Sequence, residues 1–424
     1  MTPDFDQLAQ RLIAELGTAA ISTDAPPLNT YSVDGKRGAL ICRPASAPEV
    51  AATLRLCSEA QAHVTPRGGG TAMTLGNPPR RVDVIIDLQK LNRVLDHDAA
   101  NLTVTAQSGL KLSVLQDALA RHKQFAPFDA PFPDRATIGG TIAANLNGPR
   151  RSAYGSVRDL VIGIKVALAN GEQIKAGGKV VKNVAGYDLG KLFVGSLGTL
   201  GIITETTVRV APIAECFATV VASGNLPNAL ALIEAVDRSP LLPAALALVN
   251  EPMKSHWRAA IWCEGFEETV ARYRRDLTAL ADQFGATTEV FGGRAHDEFW
   301  SRINNLPLMP NRLIVRVTLP RAELAVFVTM IDHHGAITIA GDVAAGTLWL
   351  VLEPNQATMQ LFAEVQAIAH EHHGHAVLFA APAVLKQGIE VWGPAPATLS
   401  LMREIKRQFD PLGLLNSGRF LGGI

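Results

Sequence analysis

This chain is poor in the residues that announce metal redox chemistry or membrane insertion. Its 4 cysteines, Cys42, Cys57, Cys216 and Cys263, are scattered over 424 residues with no Cys-x-x-Cys among them. That argues against a disulfide framework, a structural zinc site and an iron–sulfur cluster ligated by this chain. The four thiols read as small buried hydrophobes. No apolar run, Leu241 to Val249 included, approaches the ~20 residues of a membrane span. An excess of one charge is missing too: 39 basic and 39 acidic residues cancel, so no whole-chain footprint for nucleic acid or an anionic membrane exists. The amphipathic start (Asp4, Asp6, then Leu8, Leu12, Ile13, Leu16) lacks the basic end and apolar block of a secretory leader. The cytoplasm is the expected compartment.

The common nucleotide signatures are absent as well. No Gly-x-Gly-x-x-Gly follows a predicted strand, which argues against a Rossmann site. Gly186 and Gly190-Lys191 stand one residue too close for a P-loop, and Leu192 occupies the position that needs Ser or Thr.

What is present is a series of three glycine-rich turns, each beside an apolar strand or helix pattern. They are Pro66-Arg67-Gly68-Gly69-Gly70-Thr71, then Ala136-Thr137-Ile138-Gly139-Gly140-Thr141, then Gly195 to Ile203. Amides unshielded by a Cβ approach a pyrophosphate closely, so three such turns in order point to one large anionic ligand.

The chain divides into regions. Residues 1–35 read as a helix and a Pro26-Pro27 lead-in; 36–212 as compact α/β; 213–398 as α+β; 399–424 as a helix with a firm stop at Asp410-Pro411-Leu412-Gly413. Strands are expected at Ala39 to Arg43, His63 to Pro66, Val82 to Asp87, Leu102 to Ala106 and Ile202 to Val210, with helices at Pro48 to Ala62 and Leu110 to His122. An apolar hairpin turns at Asn170-Gly171. From Cys216 onward the pattern predicts an antiparallel sheet with helices on one face. No short-period repeat is visible.

With those residues in view, the chain resembles the vanillyl-alcohol oxidase and p-cresol methylhydroxylase flavoenzyme superfamily, and within it the FAD-binding subunits of glycolate oxidase. The carriers are the first turn, Pro133 to Gly140, Tyr154-Gly155-Ser156-Val157-Arg158-Asp159, the signature Gly177 to Leu189 running on to Glu205, and the closing Phe409 to Arg419. The match is dense over 36–212 and 399–422 and weak across 213–398.

The resemblance implies an α+β fold: a two-lobed p-cresol-methylhydroxylase-type FAD domain, a cap domain with an antiparallel sheet, and a C-terminal segment returning to the flavin. It implies noncovalent FAD, since Thr71 stands where tethered relatives carry histidine. Pro66, Arg67, Gly68, Gly69, Gly70 and Thr71, with Ala136, Thr137, Ile138, Gly139 and Gly140, would clamp the pyrophosphate. Tyr154, Gly155, Arg158 and Asp159 would approach the flavin or its ribityl chain. Gly198, Thr199, Gly201, Ile202 and Ile203 would line the adenosine end, and Asn416 would return toward the ring. Lys182, Asn183, Tyr187 and Asp188 are either ligand contacts or a buried polar corner.

The activity implied is oxidation of a small 2-hydroxy acid to the 2-oxo acid. Electrons would pass to partners, a larger FAD subunit and an iron–sulfur subunit, with any inner-membrane attachment through those partners. A self-sufficient FAD enzyme for another small alcohol, and an FAD-binding relay subunit without a substrate pocket, stay open. A carboxylate substrate calls for an arginine fork; Arg316 and Arg302 are the candidates, and no catalytic base is nominated. No metal is expected: His370, His372, His373 and His375 read as a solvated helix end turning at Gly374, and His333-His334 as loop residues.

Overall fold

The computed structural model describes residues 3–23, 31–178, 188–251, 256–334 and 337–424. Segment 179–187, with Lys182, Asn183 and Tyr187 of the signature, and Pro26-Pro27 lie outside the described residues.

The first lobe is built on short apolar strands: β1 (Ile21–Ser22), β2 (Leu40–Cys42), β3 (Val64–Arg67) and β4 (Val84–Asp87). Their spatial order is β1-β2-β4-β3; β2, β4 and β3 run parallel, and β1 is antiparallel at the edge. Helix α1 (Phe5–Leu16) opens on an Asp4 cap and buries Leu8 and Leu12 in the same core as Val50 and Leu54 of α2 (Ala47–Glu59). The N-terminal helix therefore covers this lobe's core.

The second lobe is an antiparallel sheet of order β5-β6-β10-β8-β9. Its strands are β5 (Val94–Asp98), β6 (Thr103–Gln107), β8 (Val161–Ala167), β9 (Gln173–Gly177) and β10 (Ile202–Arg209). A small ribbon pairs β7 (Gln124–Phe125) with β11 (Ala211–Pro212). Helices α3 (Leu112–Ala120) and α4 (Ile138–Ala144) pack on this sheet through Leu115, Ile138 and Ile142. Strand β5 escapes sequence reading because its Val94-Leu95 are exposed and its alternation is lost at the edge.

The cap sheet has eight antiparallel strands built as two βαββαβ halves. The first half is β12 (Cys216–Gly224), α5 (Leu226–Arg238), β13 (Ala245–Glu251), β14 (His256–Gly265), α6 (Glu267–Gln283) and β15 (Thr287–Phe291). After α7 (Gly293–Asn305) the second half follows: β16 (Leu313–Thr318), α8 (Arg321–Ile331), β17 (Thr338–Asp342), β18 (Thr347–Leu352), α9 (Gln356–Glu371) and β19 (His375–Ala380). The order β15-β12-β14-β13-β17-β18-β16-β19 joins the halves edge to edge through β13 and β17. This is a structural duplication without a visible sequence repeat. Helices α5, α6, α8 and α9 share one core with the sheet. On the other face, Ile314 and Phe379 pack with Leu75, Ala144 and Leu146 of the first two lobes.

Helix α10 (Leu399–Phe409) leads back to the first lobe, where Leu415 bridges Val64 in parallel. Its buried Lys406 donates to Asp410 (2.6 Å), Thr199 O (2.7 Å) and Leu415 O (3.0 Å), which locks the return.

Candidate functional site

The three glycine turns converge where the lobes meet. They line one cavity open to solvent, about 770 Å³ with the solvent at its mouth included, with Pro66, Arg67, Gly68, Gly69, Gly70 and Thr71 from the first turn and Thr137, Gly139 and Gly140 from the second. The third supplies Gly198, Gly201, Ile202 and Ile203, and Asn416 and Arg419 of the C-terminal segment complete the wall.

Glycine is required because the first two turns touch backbone to backbone. A Cβ on Gly69 would lie 1.6 Å from the Arg135 carbonyl oxygen, and one on Gly68 would lie 2.2 Å from Thr137 Oγ1. The N–H groups of Gly69, Gly70, Thr71 and Ala72 have no hydrogen-bond acceptor among the described residues. Those of the second turn are already used: Gly139 N donates to Ser108 O (2.8 Å) and Gly140 N to Thr137 Oγ1 (3.3 Å). Of these two turns, the first therefore carries the free amides and the second contributes surface.

Among the described residues, three buried polar atoms on cavity-lining residues lack a partner: Ser108 Oγ, Asn416 Oδ1 and Arg419 Nε. An unmet buried group costs about 1–3 kcal/mol, so this wall fits an occupant rich in hydrogen-bonding atoms. Asn416 sits at φ +45° with Nδ2 donating to Leu197 O (2.6 Å) and its backbone N to Val64 O (2.8 Å). Its Oδ1 is unmet. Arg67 is balanced already: it lies 4.2 Å over the Tyr31 ring and 3.8 Å from Asp87. Burial, then the hydrogen bond to Asp87 (2.5 Å), raises the Tyr31 phenol above its ordinary pKa.

Comparison with known proteins converges on the same chemistry. The model of an FAD binding domain matches residues 38–177. Glycolate oxidase subunit GlcD of Bacillus subtilis (strain 168) is 30% identical over 95% of this chain and 92% of its own length. Glycolate oxidase subunit GlcE of Escherichia coli (strain K12) is 30% identical over 83% of this chain and 91% of its own. The chain belongs to the FAD-linked oxidoreductases of the glycolate oxidase type. Its fold is that of p-cresol methylhydroxylase, with a TM-score of 0.77 over 98% of this chain and 96% of that one at 15% identity. FAD is the cofactor, and the cavity's free amides and unmet polar atoms fit it.

In this flavoprotein the other candidate residues are sorted by the tertiary structure. Arg316 of β16 shares a sheet face with Ile314, which packs in one cluster with Ala144, a cavity-lining residue. Its Nε is buried without a partner among the described residues. The guanidinium lies 5.4 Å over the Phe379 ring. Burial, with the nearby charge of Arg151, pulls its pKa down to about 10. Arg302 is exposed on α7, 5.9 Å over Phe299, and is not brought to the cavity.

Nor do Tyr154, Gly155, Arg158 and Asp159 reach the cavity wall. Tyr154 donates to Glu264 of the cap, beside the ion pairs of Arg150 with Asp129 (2.5 Å) and Glu264 (3.7 Å). This cluster fastens the cap to the second lobe. Asp159 closes a capping box with Ser156 around Val157–Leu160, Gly155 precedes that turn at φ +93°, and Arg158 is exposed with its carbonyl accepting from Lys191. Ala136, Ile138 and Thr199 are buried behind the lining. Sequence reasoning misses Ser108, Met73, Leu88, Leu197 and Arg419, which also line the cavity. The Ser108-Gly109 step after β6 and the closing Ser417-Gly418-Arg419 are the signals that point to two of them.

Helix α9 ends at Glu371 before His373 at φ +60°, and His372 Nδ1 lies 2.8 Å from Glu323. His333, His334 and Glu364 bring one potential ligand atom each within 4.8 Å of one another, away from the cavity lining. No helix is long and apolar enough to cross a membrane among the described residues.

Proposed function

We propose that this chain is the FAD-binding subunit of a 2-hydroxy-acid dehydrogenase complex, with its cofactor in the 770 Å³ cavity. The observation that carries the reading is Arg316: a guanidinium with a buried, unpartnered Nε, on the cap face packed against the cavity's Ala144. Arg316 as a whole is partly buried and its Nε fully so; a desolvated guanidinium nitrogen without an anion is costly, and the carboxylate of a small 2-hydroxy acid supplies the missing partner with matching fork geometry.

Residues 69–72 would hold the pyrophosphate with their free amides, and Ser108, Asn416 and Arg419 would meet the remaining polar atoms. Bound there, FAD supplies the two-electron acceptor for the substrate's hydride. Arg316 orients the acid, and the Ile314–Phe379–Leu146 cluster excludes water from that side. The 4 scattered cysteines support onward transfer through a partner that carries iron–sulfur clusters.

The test is the visible spectrum of the purified protein before and after anaerobic addition of glycolate or D-lactate. Bleaching of the flavin bands is the expected result. A spectrum that stays oxidised with a panel of 2-hydroxy acids would overturn the catalytic reading and leave a relay role.

A further inference from the structure

Four consecutive carbonyls at the far end of the first turn are held by two buried cations from distant parts of the chain. Arg419, in the C-terminal segment, donates to Met73 O (2.7 Å) and to Leu75 O. Lys386, in the cap just beyond β19, donates to Thr74 O and to Gly76 O (3.3 Å). The ammonium also pairs with both oxygens of Asp34, at 3.1 and 3.2 Å. The Lys386 side chain is 0% exposed and that of Asp34 1%. Arg419 is 2% exposed, so both cations are desolvated, where each of these bonds is strong and its loss costly.

The near end of the turn is fixed independently, because Arg67 O accepts from Leu88 N (2.9 Å) beside β4. The acceptor-free amides of Gly69 to Ala72 span the interval between these two anchors. An arch pinned at both ends loses little further freedom when an anion settles on its amides, which is the physical content of preorganisation. One anchor is borne by the cap.

We infer that Lys386 is a positioning residue for the cofactor, and that cap docking and FAD binding are coupled through its hold on the carbonyls of Thr74 and Gly76. The coupling is reciprocal by thermodynamic linkage: FAD tightens the cap contact by the factor by which the cap tightens FAD. The inference rests on the cavity being the FAD site and is independent of the substrate.

The experiment uses full-length apoprotein titrated with FAD and followed by flavin fluorescence. Lys386→Met should weaken FAD binding about tenfold or more, the scale of losing hydrogen bonds to a charged donor, and Lys386→Arg should restore part of it. Gly140→Leu, whose added Cβ meets only Thr137 Oγ1 at 3.1 Å, places a side chain in the cavity and should abolish binding. If Gly140→Leu still binds FAD normally, the cavity assignment itself fails. If Gly140→Leu loses FAD while Lys386→Met keeps wild-type affinity, the positioning role is overturned and the cavity assignment stands. A purely structural lysine would lower the apoprotein's melting temperature without changing FAD affinity. Should Lys386→Met not fold, hydrogen exchange on the unmodified protein decides. FAD should slow exchange in 383–392 as well as in 69–76; protection confined to 69–76 overturns the coupling.

Discussion

Replacing Arg316 by methionine should stabilise the substrate-free protein while disabling its chemistry. The guanidinium has an unpartnered Nε in the cap sheet, and burial lowers its pKa from 12.5 to about 10. That shift corresponds to about 3 kcal/mol of disfavoured charge. The sign is fixed: below pH 10 both states are charged, so the penalty is fully present at neutral pH and disappears only as pH rises from about 10 toward 12.5. Stacking over Phe379 at 5.4 Å returns about 0.5–1 kcal/mol. With methionine filling the space of the stem, Arg316→Met should gain about 1–2 kcal/mol in calorimetric unfolding. The same change removes the carboxylate's fork, worth about 1.5–3 kcal/mol. Flavin reduction by the 2-hydroxy-acid substrate, measured as kcat/KM by anaerobic stopped flow, should then fall roughly tenfold to a hundredfold. An unchanged kcat/KM would refute the anchor role. A loss of stability would refute the premise that this charge is uncompensated.

Other outcomes follow from the same physics. Gly69→Ala would drive a Cβ to within 1.6 Å of Arg135 O; prising the turns apart should cost roughly 3 kcal/mol or more and release FAD, and a variant purified with full flavin content would contradict the geometry. Burial holds the Asp342 carboxyl up at about 6, from 3.8. Between those values the native state keeps a proton the unfolded chain has lost, so this group's contribution to stability falls as pH rises through the window. Asp342→Asn should remove that slope, gaining about 2–3 kcal/mol more relative to wild type at pH 7 than at pH 4; parallel pH profiles would count against it. With Thr71 in place of a tethering histidine, acid precipitation should release all the flavin into the supernatant, and flavin retained in the pellet would refute noncovalent binding.

Much of the fold was legible because the interactions responsible are local. The hairpin at Asn170-Gly171 needed a positive φ, supplied by Gly171 at +85°, and the stop at Gly413 (φ +65°) follows a helix running from Leu399 to Phe409. Glycines marked the cavity because bare backbone contact, as at Gly69 against Arg135, tolerates nothing larger. The duplication of the cap was invisible: both halves repeat an arrangement of strands and helices, and many apolar sequences satisfy one arrangement.

The sequence by itself determined the α+β plan, the order of the three turns and the absence of cysteine clusters, all properties of neighbouring residues. Only the tertiary structure decided which polar residues meet. It set Tyr154 on Glu264 rather than on the cavity, left Arg302 in solvent, and brought Lys386 and Arg419 to the carbonyls of residues 73–76. Those pairings span more than 300 positions of chain for Lys386 and Arg419 alike. A side chain's local pattern encodes its burial, but its partner is chosen by how the layers stack.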